Sequence, residues 1–168
     1  MPKRFKISKT VSNKSWGDID KTALRNILVQ GLKEGAEGVR EAIREVYAVI
    51  RGENIEDAPS QNWVMPHHEV HGDGTIVLSR GGLIAAAQAL AGARAEPSLT
   101  PAQRTEAARH LMRHYREIED LEPPASLVEA AGEMVRLAAI VTGEMRVEDV
   151  PLAPGVDLAE IGRASCRE

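Results

Sequence analysis

The sequence is poor in cysteine, in aromatic residues and in long apolar stretches, and each shortage excludes a class of protein. Cys166 is the single cysteine, so no internal disulfide can form and a disulfide-stabilised secreted scaffold is excluded. No apolar run approaches the roughly 18 residues that span a bilayer, and the N-terminal MPKRFKISKT lacks the apolar core of a signal peptide. We therefore expect a cytoplasmic protein without membrane contact.

The formal net charge of −4 conceals an uneven distribution. Residues 1–14 carry several lysine and arginine side chains and no acidic one, so the rest of the chain is correspondingly more acidic. A short basic segment of this kind gives only weak and salt-sensitive attachment to nucleic acid or to an acidic protein surface. We expect residues 1–14 to form a basic flexible arm with, at most, a weak nucleic-acid contact.

Apolar residues recur at helical spacing through most of the chain between residues 15 and 143. The first predicted helix follows an N-cap at Asp18 or Asp20 and ends at Gly35. Similar patterns predict four more helices, within 36–52, 83–94, 101–119 and 126–143. Beyond them, residues 144–161 are low in periodicity and contain prolines, which predicts a linker. Residues 162–168, GRASCRE, resemble a cloning remnant.

The middle of the chain combines the strongest helix signal with the one predicted β element. Thr100, Pro101 and Gln103 form a capping-box pattern at the start of the 101–119 helix. Short apolar runs at 63–65 and 75–78 flank the turn sequence HGDG, which predicts a small β-hairpin near 63–78. The predicted fold class is therefore mainly α: a compact helical domain of about five helices with a small β-hairpin, over residues 15–143.

All five histidines fall into two short words, PHHEVHGDG with His67, His68 and His71, and ARHLMRHY with His110 and His114. His110 and His114 are four residues apart on the predicted helix, so their side chains share one face. Because the rest of the chain contains no histidine, we expect the two words to meet in space.

A metal site is one interpretation of this clustering, with His67, His71, His110 and His114 as its ligands. Three observations weigh against it: the chain has no second cysteine, the HExxH pattern is absent, and arginines flank His110 and His114. We therefore predict no metal and no other cofactor. The prediction is a polar interaction or structural seam that consists of His67, His68, Glu69, His71, Arg80, His110, His114 and Tyr115.

Hydrolytic chemistry and anion binding are two further interpretations. His68 with Glu69, or His71 with Asp73, could act as a base with its orienting carboxylate, but Ser79 lacks the GxSxG context of an activated nucleophile. Arg80 precedes a glycine pair at a predicted helix start, where an anion could bind, yet neither a GxxxxGK[ST] nor a GxGxxG pattern is present. We assign no catalytic residue, and this fragment is predicted not to be an enzyme.

Four stretches carry a resemblance to a known family: SWGDIDKTALRNIL, AIREVYAVI, PHHEVHGDGTIVLSRGGLIAAAQALAGAR and LTPAQRTEAARHLMRHYREIEDLEPPASL. Together they resemble the N-terminal part of XkdF-like prohead serine proteases and related capsid-assembly proteins of tailed phages and prophages. The resemblance covers roughly residues 15–125. It implies that 144–161 is a linker to a downstream protease or capsid module that this chain lacks.

The resemblance implies a non-catalytic domain of phage head morphogenesis, an interaction or targeting module placed upstream of a prohead protease or capsid module. Its partners would be phage head proteins, namely capsid, portal or scaffold, and its location the host cytoplasm or the virion head. The alternative from another class is a small histidine-rich metal-binding or hydrolytic domain.

Overall fold

A computed structural model describes residues 2–92 and 98–132 as a mixed α/β arrangement with two sheets. A three-stranded sheet has the order β1-β5-β4, and a two-stranded sheet pairs β2 with β3. The strands are β1 (Lys6–Ser12), β2 (Tyr47–Ile50), β3 (Trp63–Pro66), β4 (His68–Val70) and β5 (Thr75–Ser79). The helices are α1 (Lys21–Glu34), α2 (Val39–Val46), α3 (Pro59–Asn62), α4 (Arg80–Leu90), α5 (Pro101–Tyr115) and α6 (Ala125–Ala130).

Helix α1 begins and ends where its sequence signals predict. The Asp20 side chain accepts hydrogen bonds from the backbone N–H groups of Thr22 and Ala23, which have no partner inside the helix. Gly35 adopts a left-handed conformation with φ of 64° and closes the last turn. Leu24 and Leu28 are buried on the inner face, so this helix covers one side of the core.

Helix α2 passes directly into strand β2, and this transition brings α2 beside the histidines. Tyr47 is extended and its backbone N–H still donates to the carbonyl of Ile43, so the helix ends without a loop. Strand β2 then pairs antiparallel with β3 and its first three residues are buried. The chain thus places the end of α2 at the start of a buried strand.

Residue His67 lies between the two sheets. Its backbone N–H donates to the carbonyl of Val46, beside the two-stranded sheet, and its carbonyl accepts from the N–H of Ser79 in the three-stranded sheet. Strand β3 precedes this residue and strand β4 follows it. The His67 backbone is therefore fixed from both sides, and its side chain is held where the sheets meet.

Helices α4 and α5 cover this junction. Ser79 caps α4 by accepting a hydrogen bond from the N–H of Gly82, and Gly82 lies against Trp16 and His67 with no room for a side chain. The capping box of Thr100 and Gln103 starts α5. Residues of α4, α5 and α6 share one hydrophobic cluster with parts of β2, β3 and β5.

The mainly α fold class predicted from sequence is wrong. Residues 47–50 form strand β2 instead of continuing a helix, because four apolar residues in a row satisfy a buried strand as well as a helix face. Residues 6–12, expected within a flexible arm, form β1 and pair in parallel with β5. The hairpin joins β4 to β5, whereas residues 63–66 belong to the other sheet.

Several predicted segments lie outside the described residues. They are the second half of the 126–143 helix, the 144–161 linker and the 162–168 remnant. Within the part of the chain that the structure describes, no helix is long and apolar enough to cross a bilayer.

Candidate metal centre

Four histidine side chains meet at the junction of the two sheets with α5. His67 and His68 come from the connection between β3 and β4, while His110 and His114 lie one turn apart on α5. His67, His68 and His114 are buried, and His110 is partly exposed. A cluster of four imidazoles at such depth is costly unless their nitrogen atoms find partners.

The ring nitrogens approach one another closely. Nε2 of His110 lies 3.2 Å from Nε2 of His67 and also 3.2 Å from Nε2 of His114. His67, His68 and His114 each offer one ring nitrogen, and these three atoms lie within 4.8 Å of one another. The cluster therefore directs nitrogen atoms from four side chains towards one small volume.

These spacings are those of a metal ion's coordination shell. Zinc holds imidazole nitrogen at about 2.0–2.1 Å in a tetrahedral arrangement, which separates neighbouring ligand atoms by about 3.3–3.4 Å. The two Nε2 pairs at 3.2 Å are close to that value. A hydrogen bond between two imidazoles would also allow this distance, so the protonation of each ring decides between the two.

The protonation of His67 is fixed by its own backbone. Its Nδ1 lies 3.0 Å from the carbonyl oxygen of Met65, which can only accept, so Nδ1 carries the proton. Because the neutral ring holds one proton, Nε2 of His67 presents a lone pair to His110. Metal-binding histidines commonly donate their second N–H to a carbonyl or carboxylate in this way.

His114 has a carboxylate beside its second nitrogen. Nδ1 of His114 lies 3.3 Å from Oε1 of Glu117, although the two are not aligned as a hydrogen bond. The Glu117 side chain is half exposed, so it has room to turn towards Nδ1. Such a bond would place the proton on Nδ1 and leave Nε2 free to act as a ligand.

His68 supplies a buried nitrogen without a partner. Its Nδ1 has no hydrogen-bond partner within the described residues, and the residue is 1% exposed. A buried polar atom left unpaired costs about 1–3 kcal/mol. A cation bound through Nδ1 of His68 would give this nitrogen a partner.

All four imidazoles are held neutral. Burial, with a smaller contribution from neighbouring histidines, keeps the pKa values of His67 and His68 well below the usual value. Burial and then Arg113 lower the pKa of His110 to about 4, and burial followed by His68 lowers the pKa of His114 to about 2. Neutral imidazole is the form that binds a metal ion, so no proton has to be displaced near neutral pH.

One cation lies close to the cluster, and a carboxylate balances it. Nη2 of Arg113 lies 3.3 Å from Nε2 of His114, where a positive charge opposes a metal ion. Glu45, at the end of α2, places Oε2 2.8 Å from Arg113 and Oε1 3.7 Å from Nε2 of His114. The pair of Arg113 and Glu45 adds no net charge beside the imidazoles.

The other predicted seam residues serve local roles. His71 is half exposed, and its Nε2 lies 3.8 Å from Oε2 of Glu69, whose side chain is 12% exposed. Tyr115 is buried in the hydrophobic cluster around α5, and burial raises its pKa. The metal set named from sequence included His71; in the structure His68 stands in its place.

The side chains expected to support hydrolysis and anion binding have other roles in the structure. The Ser79 side chain is buried and accepts the capping hydrogen bond from Gly82, so it is not offered as a nucleophile. Arg80 binds both carboxylate oxygens of Asp120, at 2.8 and 2.9 Å. The guanidinium that could have held an external anion therefore has an internal one.

Sequence reasoning missed three groups around the cluster. They are the Met65 carbonyl, Glu45 and Glu117. Only the fold brings Glu45 at the end of α2 to α5, whereas Met65 and Glu117 lie two and three residues from His67 and His114, a spacing that could have pointed to them. Comparison of the chain with protein-family models, curated proteins and solved structures gives no match. The resemblance to phage head proteins accordingly stays a prediction.

Proposed function

We propose that this domain binds one transition-metal ion of the zinc class through His67, His68, His110 and His114. The observation that carries the proposal is the convergence of buried, neutral ring nitrogens at 3.2 Å spacings. Two further observations support the proposal. The hydrogen bond to Met65 leaves a lone pair on Nε2 of His67, and Nδ1 of His68 is buried without a partner.

The ligand chemistry selects the class of ion. Imidazole nitrogen suits zinc, copper, nickel and cobalt, whereas magnesium and calcium prefer oxygen ligands. The described ligands are all imidazoles, and two carboxylates lie near them: Glu45 is 3.7 Å from Nε2 of His114 and Glu117 is 3.3 Å from its Nδ1. Zinc is the expected ion because the tetrahedral spacing fits it and because it needs no redox partner.

The role that fits this arrangement is structural. Four protein ligands fill a tetrahedral zinc site and leave no position for a substrate, as in closed structural sites. The ligands come from the sheet junction and from α5, so the ion would fasten that helix to both sheets. Its binding free energy would add to the stability of the fold.

Metal content tests the proposal. The full chain, purified without a histidine tag, is expected to hold about one zinc ion per chain, or to take one up in titration. His110→Ala and His68→Ala should each lower affinity at least tenfold, while His71→Ala, which removes a histidine outside the cluster, should leave it unchanged. Equal losses in all three variants, or no uptake by the folded parent, would reject the proposal.

For the biological setting we propose an interaction or targeting module of phage heads, the role that the resemblance to XkdF-like proteins implies. Its support is the sequence resemblance in PHHE, RGGLIAAAQALAGAR and HLMRHY. The test is a pull-down with the capsid, portal and scaffold proteins from the same phage or prophage. Binding to none of the three would overturn this setting and leave the metal proposal untouched.

A further inference from the structure

Strand β1 lies at one end of the three-stranded sheet, so within the described part of the chain one of its two edges has no strand beside it. The strand reads KISKTVS and pairs in parallel with β5 alone. An exposed strand edge is a template on which another extended chain can add. This edge is therefore a candidate site for an extended partner.

The backbone groups of Ile7 point away from β5. The N–H of Lys6 donates to the carbonyl of Gly74, on the β5 side, whereas the N–H of Phe5 donates to the carbonyl of Glu37, on the opposite side. Successive N–H groups of an extended strand alternate between its two sides, so the N–H and C=O of Ile7 lie on the Glu37 side. The parallel register agrees, since only every second residue of β1 bonds to β5.

These outward groups have no partner among the described residues. Glu37 bonds to the backbone of Lys3 and Phe5, and the free edge begins after that contact. Beyond it no strand lies on this side of β1, and no described residue outside the strand bonds to the Ile7 backbone. Recognition by strand addition takes its affinity from main-chain groups of this kind and its specificity from side chains.

The Ile7 side chain is uncovered as well. At 52% exposure it is the most exposed large hydrophobic side chain in the described ranges. One exposed apolar side chain is ordinary on a protein surface, but here it coincides with the unpaired main-chain groups, so one bound strand would cover both. A nucleic acid, which is held mainly through its phosphates, would gain nothing from either feature. The combination favours a protein chain as the partner.

The charge of β1 indicates which protein chain fits. Lys6 and Lys9 are exposed, and the strand contains no acidic residue. Neither lysine makes an ion pair within the part of the chain that the structure describes. Lys14, past the end of the strand, lines a cavity together with Asp18 and Asp20, so its charge is not counted here.

Carboxylates from other segments reduce the positive charge of this edge without cancelling it. Glu37 lies 3.4 Å from Arg4, and both are exposed. Asp73 is close enough to Lys6 for the two charges to interact. None of the described carboxylates pairs with Lys9, so the edge beside Ile7 keeps a positive excess.

A second copy of this chain fits the edge poorly. Its own β1 would bring a second pair of lysines to the same place, and like charges on adjacent strands are destabilising. An acidic segment gains from the same lysines.

We propose that the free edge of β1 binds an extended acidic segment of another protein, which pairs with the Ile7 backbone as an added strand and places aspartate or glutamate beside Lys6 and Lys9. An apolar residue of that segment would cover the Ile7 side chain. This inference depends neither on the metal ion nor on the phage setting.

Selection from a library of random octapeptides displayed on phage tests this inference on the immobilised full chain. The expected result is enrichment of sequences that combine β-branched residues with aspartate or glutamate, and their affinity should fall with salt. The double variant Lys6→Glu/Lys9→Glu should bind the selected peptides at least tenfold more weakly. Lys33→Glu/Arg44→Glu changes the net charge equally at exposed positions of α1 and α2, so it is the matched control and should retain them.

The pairing of main-chain groups has its own test. Ile7→Pro removes an N–H that β5 does not use, so circular dichroism should show a folded protein that binds the selected peptide at least tenfold more weakly. Ile7→Val keeps the N–H and should retain the peptide. If Ile7→Pro fails to fold, amide chemical shifts in the parent protein decide instead. The Ile7 amide should then move on peptide addition, and more than the Lys6 amide, which is already bonded to Gly74.

Several results would overturn the inference. They include the absence of any enriched sequence on folded parent protein, retention of the peptides by Lys6→Glu/Lys9→Glu, and peptide binding that leaves the Ile7 amide unchanged. Oligothymidine that binds more tightly than every selected peptide would make the edge a nucleic-acid contact. A dimer in sedimentation that Ile7→Pro dissociates would assign the edge to a second copy of the chain.

Discussion

The imidazole of His67 donates a hydrogen bond to the carbonyl of Met65, two residues earlier in the same chain. Met65 adopts a left-handed conformation with φ of 58°, which is uncommon for a residue other than glycine, and its carbonyl accepts the hydrogen bond from the ring. Such conformations cost about 1–3 kcal/mol and persist where the surroundings impose them. The local backbone therefore sets which nitrogen of His67 is available.

Zinc is expected to raise the melting temperature of the parent protein. An ion at 100 times its dissociation constant adds about 2.7 kcal/mol, which corresponds to about 10 °C for a domain of this size. Thermal unfolding with zinc and then with EDTA measures the shift. His110→Ala should abolish it and His71→Ala should preserve it, so an equal shift in both variants would contradict the assignment of ligands.

The metal-free protein should lose stability on acidification. The folded-state pKa values of the cluster lie below the unfolded value near 6.5, so stability is complete above about pH 6.5 and falls as the unfolded chain takes up protons. For His110 the fall should extend down to about pH 4. Urea unfolding in EDTA between pH 8 and 4 measures this change. A free energy of unfolding that increases as the pH is lowered from 8 to 4 would refute the prediction.

Replacing Gly82 by alanine should destabilise the fold although alanine favours helices. A Cβ atom there would lie 2.8 Å from Trp16 and 3.0 Å from Cα of His67. Overpacking of this kind costs about 1–3 kcal/mol, and displacement of His67 should also weaken zinc binding. Gly72→Ala, where nothing lies within 4 Å, is the matched control for chemical denaturation and should change little.

Removal of the α5 cap should lower stability without touching the histidines. Thr100→Ala loses the hydrogen bond to the N–H of Gln103 and should cost about 1 kcal/mol. Thr105→Ala removes the same atoms inside the helix and should cost less, since alanine has the higher helix propensity. Urea midpoints of the two variants give the comparison, and a larger loss at Thr105 would contradict the capping role.

Loss of the Glu45 carboxylate should weaken metal binding. In Glu45→Gln the charge of Arg113 would remain 3.3 Å from Nε2 of His114 without its counter-ion. We expect a loss of about tenfold in zinc affinity, the lower end of the range for groups that surround a metal ligand. Competition titration with a chelator measures it, and Glu41→Gln on the same helix should bind as the parent does.

Local signals predicted the helices better than the sheets. Asp20, Gly35 and the Thr100 capping box fix helix ends through bonds between neighbours in sequence, so these boundaries could be found. Strands depend on distant partners: Lys6–Ser12 is polar and basic, and only its parallel pairing with β5 makes it a strand. The apolar residues of the Tyr47–Ile50 segment are compatible with a helix by their spacing and with a buried strand by their continuity. In the structure they form strand β2.

The same limit applies to the histidines. Because the histidines occur in only two short sequence stretches, we could predict that these stretches meet in space. The spacing of His110 and His114 placed both on one helix face. Whether His68 or His71 joins the cluster depends on tertiary structure: His68 begins β4 and is buried, whereas His71 follows the end of that strand. The Gly72–Gly74 turn leaves His71 at the surface, and no property of the residue itself reveals this.

The contact between His67 and His110 joins residues 43 positions apart in the chain. In the unfolded protein, closure of such a loop carries an entropic cost that grows slowly with length. An ion bound by both segments before folding is complete would hold that loop closed, as a cross-link does. Zinc would then accelerate docking of α5 onto the sheets as well as stabilise the result.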